Sequence, residues 1–144
     1  MRAAARTVQS AGRVLYDQPS LSESSPSDHV PTRAEQIVSL GELSMRSVRD
    51  ADTHTIRLRG EMDIANAADV EKELLRVEAT DVATIVLDLA ELSFIDSTGI
   101  RLLLMADSRS RSDGERLVLR RPPEGVLRVL RLAGVEDRLR FTDA

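Results

Sequence analysis

The sequence predicts an α/β domain in which helices pack against a largely parallel sheet. From Leu43 onward, apolar runs typical of strands alternate with stretches whose apolar residues recur at helical spacing. Strand–helix–strand connections of this length normally form right-handed crossovers, which produce parallel strands. With 144 residues, the chain has room for one domain of ordinary size.

The sheet is predicted to start with an antiparallel hairpin. Residues 43–48 and 55–59 alternate apolar with polar side chains around the polar turn 50–52, a pattern typical of a hairpin with one solvent-exposed face. A helix is predicted next, because the following apolar residues form one stripe at helical spacing. These residues are Ala67, Val70, Leu74 and Val77.

A central strand is predicted at residues 84–89, which are apolar through their middle, as expected for a strand covered on both faces. The second helix is predicted after a corner at Ser97 and continues through Arg111 to the turn pair Asp113-Gly114. The remaining elements are a strand at 116–120, a third helix that starts after Pro122-Pro123 and ends at Gly134, and a last strand at 139–141.

Residues 1–40 are predicted to form a flexible N-terminal tail before the domain at 41–144. This stretch mixes serine, proline and balanced charge with little sustained periodicity. A segment of that composition cannot bury much apolar surface. The alternative is a short amphipathic turn formed by Val8, Val14, Leu15 and Tyr16, and disorder is the preferred interpretation.

Composition narrows the classes of function. The chain has no cysteine or tryptophan, one tyrosine, two phenylalanines and a net charge of −4. The lack of cysteine disfavours zinc and redox roles, while the scarcity of aromatic side chains and the negative charge disfavour direct nucleic-acid binding. No run approaches the roughly 18 apolar residues of a membrane span, and the N-terminus lacks a secretory signal. We expect a cytoplasmic protein that does not insert into membranes.

The most informative segment is residues 94–100, where a buried strand is predicted to turn into a helix at Ser97. A phosphate attached there would be stabilised by free backbone N–H groups and the helix dipole. Helix capping is the simpler interpretation, since Asp96, Ser97 and Thr98 are all capping residue types. Only one of them can occupy the N-cap position, and Gly99 in the first turn costs about 1 kcal/mol relative to alanine. We therefore predict a docking surface where another chain or a ligand approaches Gly99 closely.

A second segment, residues 60–63, ends the second predicted strand and should lie on the same rim of the sheet as Ser97. Asp63 precedes the first helix closely enough to cap it. Capping and partner contact are equally good interpretations, and the two roles are compatible.

The chain is predicted not to be an enzyme. Nucleophilic catalysis by Ser97 needs a base within reach, and the domain's only histidine, His54, is expected at the far side of the second strand. The Gly-x-Ser-x-Gly elbow is missing because Ile95 stands two residues before Ser97. The sequence also lacks a glycine-rich phosphate loop with a following lysine.

Three segments, 60–63, 85–89 and 92–100, resemble the STAS domain of bacterial anti-sigma factor antagonists in residue pattern, order and spacing. The resemblance spans about residues 43–141. It implies a mixed sheet of four or five strands with helices mainly on one face. It also implies that the Ser97 hydroxyl is a phosphoacceptor.

The resemblance further implies a regulatory cycle of partner switching. The unphosphorylated protein would bind an anti-sigma factor, a serine kinase of the histidine-kinase-like ATPase fold, which would then release its sigma factor. Phosphorylation of Ser97 by that kinase, with ATP and magnesium, would weaken the complex, and a metal-dependent serine phosphatase would restore it. The protein itself is expected to need no cofactor. The residues expected to contact the partner are Glu61, Asp63, Ile64, Ile95, Asp96, Thr98, Gly99, Ile100 and Arg101.

Two other functions stay open. STAS domains also serve as accessory subunits of transporters, including bacterial lipid-transport complexes, where docking on an ATPase needs no phosphorylation. The third hypothesis is a scaffold or sensor subunit of a larger stress-signalling assembly. The identity of the protein recovered in a pull-down would separate a kinase partner from a transporter ATPase.

Overall fold

The computed structural model describes residues 13–16 and 35–143 of the chain. The strands are β1 (Arg13–Tyr16), β2 (Glu35–Leu40), β3 (Leu43–Asp50), β4 (Thr53–Met62), β5 (Thr84–Ile95), β6 (Leu117–Arg120) and β7 (Phe141–Thr142). The helices are α1 (Ala67–Glu78), α2 (Ser97–Arg111) and α3 (Glu124–Leu132), and a single 3₁₀ turn covers Glu136–Arg138.

All seven strands form one mixed sheet in the order β1 to β7. Strands β1 to β4 pair antiparallel with their neighbours, and strands β4 to β7 pair parallel. The predicted α/β class and mixed sheet are therefore confirmed, with seven strands where four or five were expected. The two additional strands are β1 and β2, which precede the predicted domain.

The helices lie on one face of the sheet, as expected. Each parallel connection crosses to the next strand in the same direction, and right-handed crossovers then place their helices on a common face. The side chains of β4 alternate between the face that the helices cover and the opposite face of the sheet. Ile56, Leu58 and Met62 are fully buried in the core, whereas Arg57 and Arg59 point to the other face and are exposed.

Within the described residues, no helix covers the second face of β5, which corrects the expectation that both faces are covered. Asp88 lies on that open face, in register with Arg57 of β4 and Arg120 of β6. Its carboxylate accepts hydrogen bonds from both guanidinium groups, at 3.1 Å and 3.0 Å. Burial acts to raise the pKa of Asp88, but the Ala90 N–H and the two arginines outweigh it and lower the pKa below its ordinary value.

The domain begins before the predicted boundary at residue 41. Strand β2 pairs with β3 through residues 35–40, and Val38 and Leu40 are buried in the core. Strand β1 in turn pairs with β2. The prediction of a flexible tail is therefore wrong for residues 13–16 and 35–40, because pairing with a neighbouring strand stabilises segments whose local pattern is weak. The rest of the predicted tail lies outside the described residues.

Candidate functional site

Asp96, rather than Ser97, organises the corner between β5 and α2. It is the N-cap residue of α2, and its Oδ1 accepts hydrogen bonds from the N–H groups of Thr98 at 2.9 Å and Gly99 at 3.1 Å. These bonds satisfy two of the donors that a helix leaves unpaired in its first turn. The Ser97 side chain is therefore not needed as the cap, and Ser97 is exposed at the first position of the helix.

The second carboxylate oxygen of Asp96 reaches the loop after β4. Oδ2 accepts a hydrogen bond from the N–H of Ile64 at 3.1 Å, across 32 residues of sequence. The backbone N–H of Asp96 also donates to the Met62 carbonyl at 3.2 Å. Residues 60–63 and Ser97 thus lie on the same rim of the sheet, as the order of strands predicted.

Asn66, which the sequence motifs did not single out, holds this loop in place. Its Oδ1 accepts from the N–H of Asp63 at 3.0 Å, and its Nδ2 donates to the carbonyls of Leu40 at 3.2 Å and Glu61 at 3.0 Å. The residue is 1% exposed, so these bonds satisfy polar atoms that water does not reach. The spacing Asp63-x-x-Asn66 was a usable signal, since both residue types close turns through side-chain bonds to the backbone.

Asp63 shapes the same loop without capping α1. Its Oδ1 accepts from the N–H of Ala65 at 2.9 Å, whereas α1 begins at Ala67 with Asn66 in the N-cap position. Of the two interpretations of Asp63, capping of the first helix is wrong, because the chain completes a turn at residues 63–66 before the helix begins.

Gly99 is required by packing inside the domain. A Cβ atom at this position would lie 2.6 Å from Cγ1 of Ile95 and 3.2 Å from Cε of Met62, so a larger residue would push α2 away from the sheet. Ile95 itself is 1% exposed. Both residues face the core, which accounts for the glycine without a partner, and their contact with a partner stays a prediction.

The other predicted contact residues differ in exposure. Glu61, Ile64 and Arg101 are exposed, and 77% of Ile64 is accessible to solvent. Met105, one turn beyond Arg101 on α2, is an exposed apolar residue that the sequence did not indicate as part of the site. We call Ile64, Ser97, Arg101 and Met105 the Ser97 surface. The half-buried predicted residues are Asp63, Asp96, Thr98 and Ile100.

His54 belongs to a separate buried network and is not a base for Ser97. The Ser47 hydroxyl donates to Glu73 Oε2 at 2.6 Å, and its oxygen lies 2.6 Å from His54 Nε2. Because that hydroxyl proton is already donated, Nε2 must carry the proton of the histidine ring. The serine therefore lies between the histidine and the carboxylate, unlike the order of a hydrolytic triad, in which the histidine lies between the other two.

Burial lowers the pKa of His54 to about 4, with the Glu73 carboxylate acting against this shift and Arg76 and Arg49 adding to it. The ring is therefore neutral at pH 7.

The described part of the chain holds no group of three or more His, Cys, Asp or Glu residues that could bind a metal ion. None of the helices in residues 35–143 is long and apolar enough to cross a membrane.

A protein-family model described as "Mlab, STAS domain" matches residues 45–141, a range that includes the whole Ser97 corner. The chain belongs to the STAS domain family. The resemblance carried by segments 60–63, 85–89 and 92–100 is thereby confirmed.

Solved structures similar to this STAS domain include an anti-sigma factor antagonist from Mycobacterium paratuberculosis, at 19% identity and a TM-score of 0.57, over 71% of this chain and 86% of that one. The antagonist SpoIIAA matches in its unphosphorylated form at 24% identity and a TM-score of 0.53, over 76% and 88% of the two chains. Its phosphorylated form from Bacillus matches at 23% and 0.50, over 76% and 91%. The murine anion transporter Slc26a9 matches at 19% and 0.53, over 62% of this chain and 15% of the transporter. These likenesses establish the fold.

Asp96→Asn is expected to separate the two roles of this carboxylate in the STAS domain. The amide oxygen of asparagine can still cap α2, whereas its NH₂ group cannot accept the hydrogen bond from Ile64. We expect a loss of about 1 kcal/mol in urea unfolding and faster amide hydrogen exchange in residues 63–66, with α2 unchanged. Asp96→Ala removes both roles and should cost about 2 kcal/mol. Unchanged exchange at residues 63–66 in Asp96→Asn would show that the bridge does not hold the loop.

Proposed function

We propose that this STAS domain is an anti-sigma factor antagonist that phosphorylation of Ser97 switches off. In its unphosphorylated form it binds an anti-sigma factor serine kinase in the bacterial cytoplasm, and the sigma factor held by that kinase is released. The observation that carries the proposal is that Asp96 caps α2 and leaves the Ser97 side chain exposed. The similarity to SpoIIAA, which has been solved in unphosphorylated and phosphorylated forms, supports it.

The protein acts in this cycle as a substrate. The kinase transfers the γ-phosphoryl group of magnesium-bound ATP to the Oγ of Ser97. The new P–O bond forms as the bond between the γ-phosphorus and the β-phosphate oxygen breaks, ADP leaves, and the serine proton passes to a base of the kinase. A metal-dependent serine phosphatase hydrolyses the phosphoserine to serine and inorganic phosphate. This chain contributes the hydroxyl and the surface that both enzymes recognise.

The surroundings of Ser97 provide a physical reason for release. Phosphate adds about −1.5 to −2 charges next to the Asp96 carboxylate and on the same rim as Asp63. A partner that covers the exposed Ile64 would also have to dehydrate the phosphate beside it, which costs free energy unless a cation pairs with it. The N-terminus of α2 favours negative charge. The modification can therefore weaken the interface without unfolding the domain.

The test is to incubate the purified protein with its cognate kinase and magnesium-ATP, and to map phosphate by mass spectrometry. We expect one phosphate on Ser97 and no incorporation in Ser97→Ala. Thr98→Ala is the matched control, because its hydroxyl is adjacent in sequence but half-buried, and it should be phosphorylated like the wild-type protein. Incorporation that Ser97→Ala does not change would overturn the assignment.

Docking on a transporter ATPase is the second candidate function, and the structural likeness to part of an anion transporter shows that this fold also occurs in transport proteins. In that case the Ser97 surface would bind its partner without phosphorylation. Co-purification from the native host, with the wild-type protein and with Ser97→Ala, separates the two functions. A small serine kinase in the complex supports the antagonist, whereas a transporter ATPase bound equally by both proteins supports the accessory subunit. A complex of high native mass would instead indicate a signalling scaffold.

A further inference from the structure

Arg101 differs from the other two arginines of α2. Arg109 is paired with Glu78 at 2.9 Å, and Arg111 is paired with Asp107 at 2.9 Å. Arg101 is exposed, and no carboxylate forms an ion pair with it in the part of the chain that the structure describes. The helix therefore carries one cation whose charge is not matched by a neighbour.

The residues that neighbour Arg101 on α2 explain why its charge is unmatched. Side chains three and four positions apart on a helix are neighbours, with Cβ atoms about 5–6 Å apart. The two such positions after Arg101 are Leu104 and Met105, and the two before it are Thr98 and Ser97. The first turn of α2 contains no acidic residue. Ser97 is thus the exposed neighbour that phosphorylation would convert into an anion.

Nearby carboxylates on the rim already accept hydrogen bonds from backbone donors. Asp96 accepts from the N–H groups of Ile64, Thr98 and Gly99, and Asp63 accepts from that of Ala65. Glu61, another carboxylate of the rim, lies at the end of β4 rather than on α2. A phosphate on Ser97 would therefore be the first anion on α2 within one helical turn of Arg101.

We propose that Arg101 binds the phosphate of phosphorylated Ser97 within the same chain, as a guanidinium–phosphate pair along the exposed face of α2. This inference rests on the proposed phosphorylation of Ser97. A guanidinium group matches two phosphate oxygens in a bidentate pair, and helical side chains lean toward the N-terminus, which brings Arg101 toward the turn that contains Ser97. Phosphorylation then changes the Ser97 surface in two ways, because it adds an anion and withdraws a cation from the partner.

The test uses the full chain with phosphoserine incorporated at position 97 by an expanded genetic code, so that no kinase is needed. Titration by ³¹P NMR measures the second pKa of the phosphate, which is ordinarily about 6. We expect Arg101→Gln to raise this pKa by about half a unit and Arg101→Lys to retain part of the original value. The control is Arg128→Gln, which removes an exposed arginine from α3 and should leave the phosphate pKa unchanged.

Equal phosphate pKa values with and without the Arg101→Gln substitution would overturn the contact. A rise of the same size in Arg128→Gln would also overturn it, because the effect would then come from the overall charge of the protein. The helix dipole is common to all variants and does not affect the comparison. Failure of the proposed function would appear separately, as no incorporation of phosphate at Ser97 by the kinase, since the titration does not depend on that enzyme.

Discussion

Ser97→Asp is expected to bind the anti-sigma factor kinase about a hundredfold more weakly than the wild-type protein, a loss of about 2.7 kcal/mol. The substitution places a permanent negative charge at the exposed first position of α2, beside the Asp96 carboxylate and close to Ile64. A partner that covers this surface must desolvate the new charge, which costs free energy. Ser97→Ala adds no charge and should keep the affinity within about threefold. Isothermal titration with the purified kinase measures both.

The matched control is Ser108→Asp. Ser108 is also an exposed serine on α2, but it lies about 16 Å further along the helix axis, so this variant should bind like the wild-type protein. Unfolding cannot account for weaker binding by Ser97→Asp, because a negative charge at a helix N-terminus stabilises the helix by about 0.3–1 kcal/mol. Its urea midpoint should equal or exceed that of the wild type. Similar affinities for Ser97→Ala and Ser97→Asp would contradict the phosphorylation switch.

Gly60→Ala is expected to lower the free energy of unfolding by about 3 kcal/mol. Gly60 has a φ of +106°, a conformation that residues with a Cβ rarely adopt. The added Cβ would also overlap the carbonyl oxygen of Glu42 in the turn between β2 and β3. That oxygen accepts a hydrogen bond from the N–H of Glu61 at 3.0 Å, so the turn cannot move away without losing it. Urea unfolding monitored by circular dichroism measures the loss.

Gly125→Ala is the control for this substitution. Gly125 lies in α3, and no neighbouring atom lies within 4 Å of the position its Cβ would take. Alanine there should raise stability by up to about 1 kcal/mol, because it favours the helix without a steric cost. The same change of residue should thus have opposite signs at the two sites. A loss below about 1 kcal/mol for Gly60→Ala would show that the backbone there relaxes around the new side chain.

Several elements could be predicted because their signatures are local. The apolar stripe of the first helix predicted α1, which ends at Glu78, one residue after the last residue of that stripe. The polar turn 50–52 predicted the hairpin of β3 and β4, which the antiparallel register confirms. Strand β5 is longer than predicted and continues to Ile95. The prediction stopped short because register shifts against β4 near Gly60 interrupt the regular alternation in the second half of the strand.

The sequence by itself determined that a serine, two other capping residue types and a glycine stand where a strand gives way to a helix. Only the tertiary structure decided what each does. Asp96 is the cap because its carboxylate reaches both the first turn of α2 and the N–H of Ile64, a residue 32 positions away. Gly99 is needed because α2 packs closely on Ile95 and Met62. These contacts depend on the register of β4 against β5, which is set by burial across the whole domain and is not encoded in any short motif.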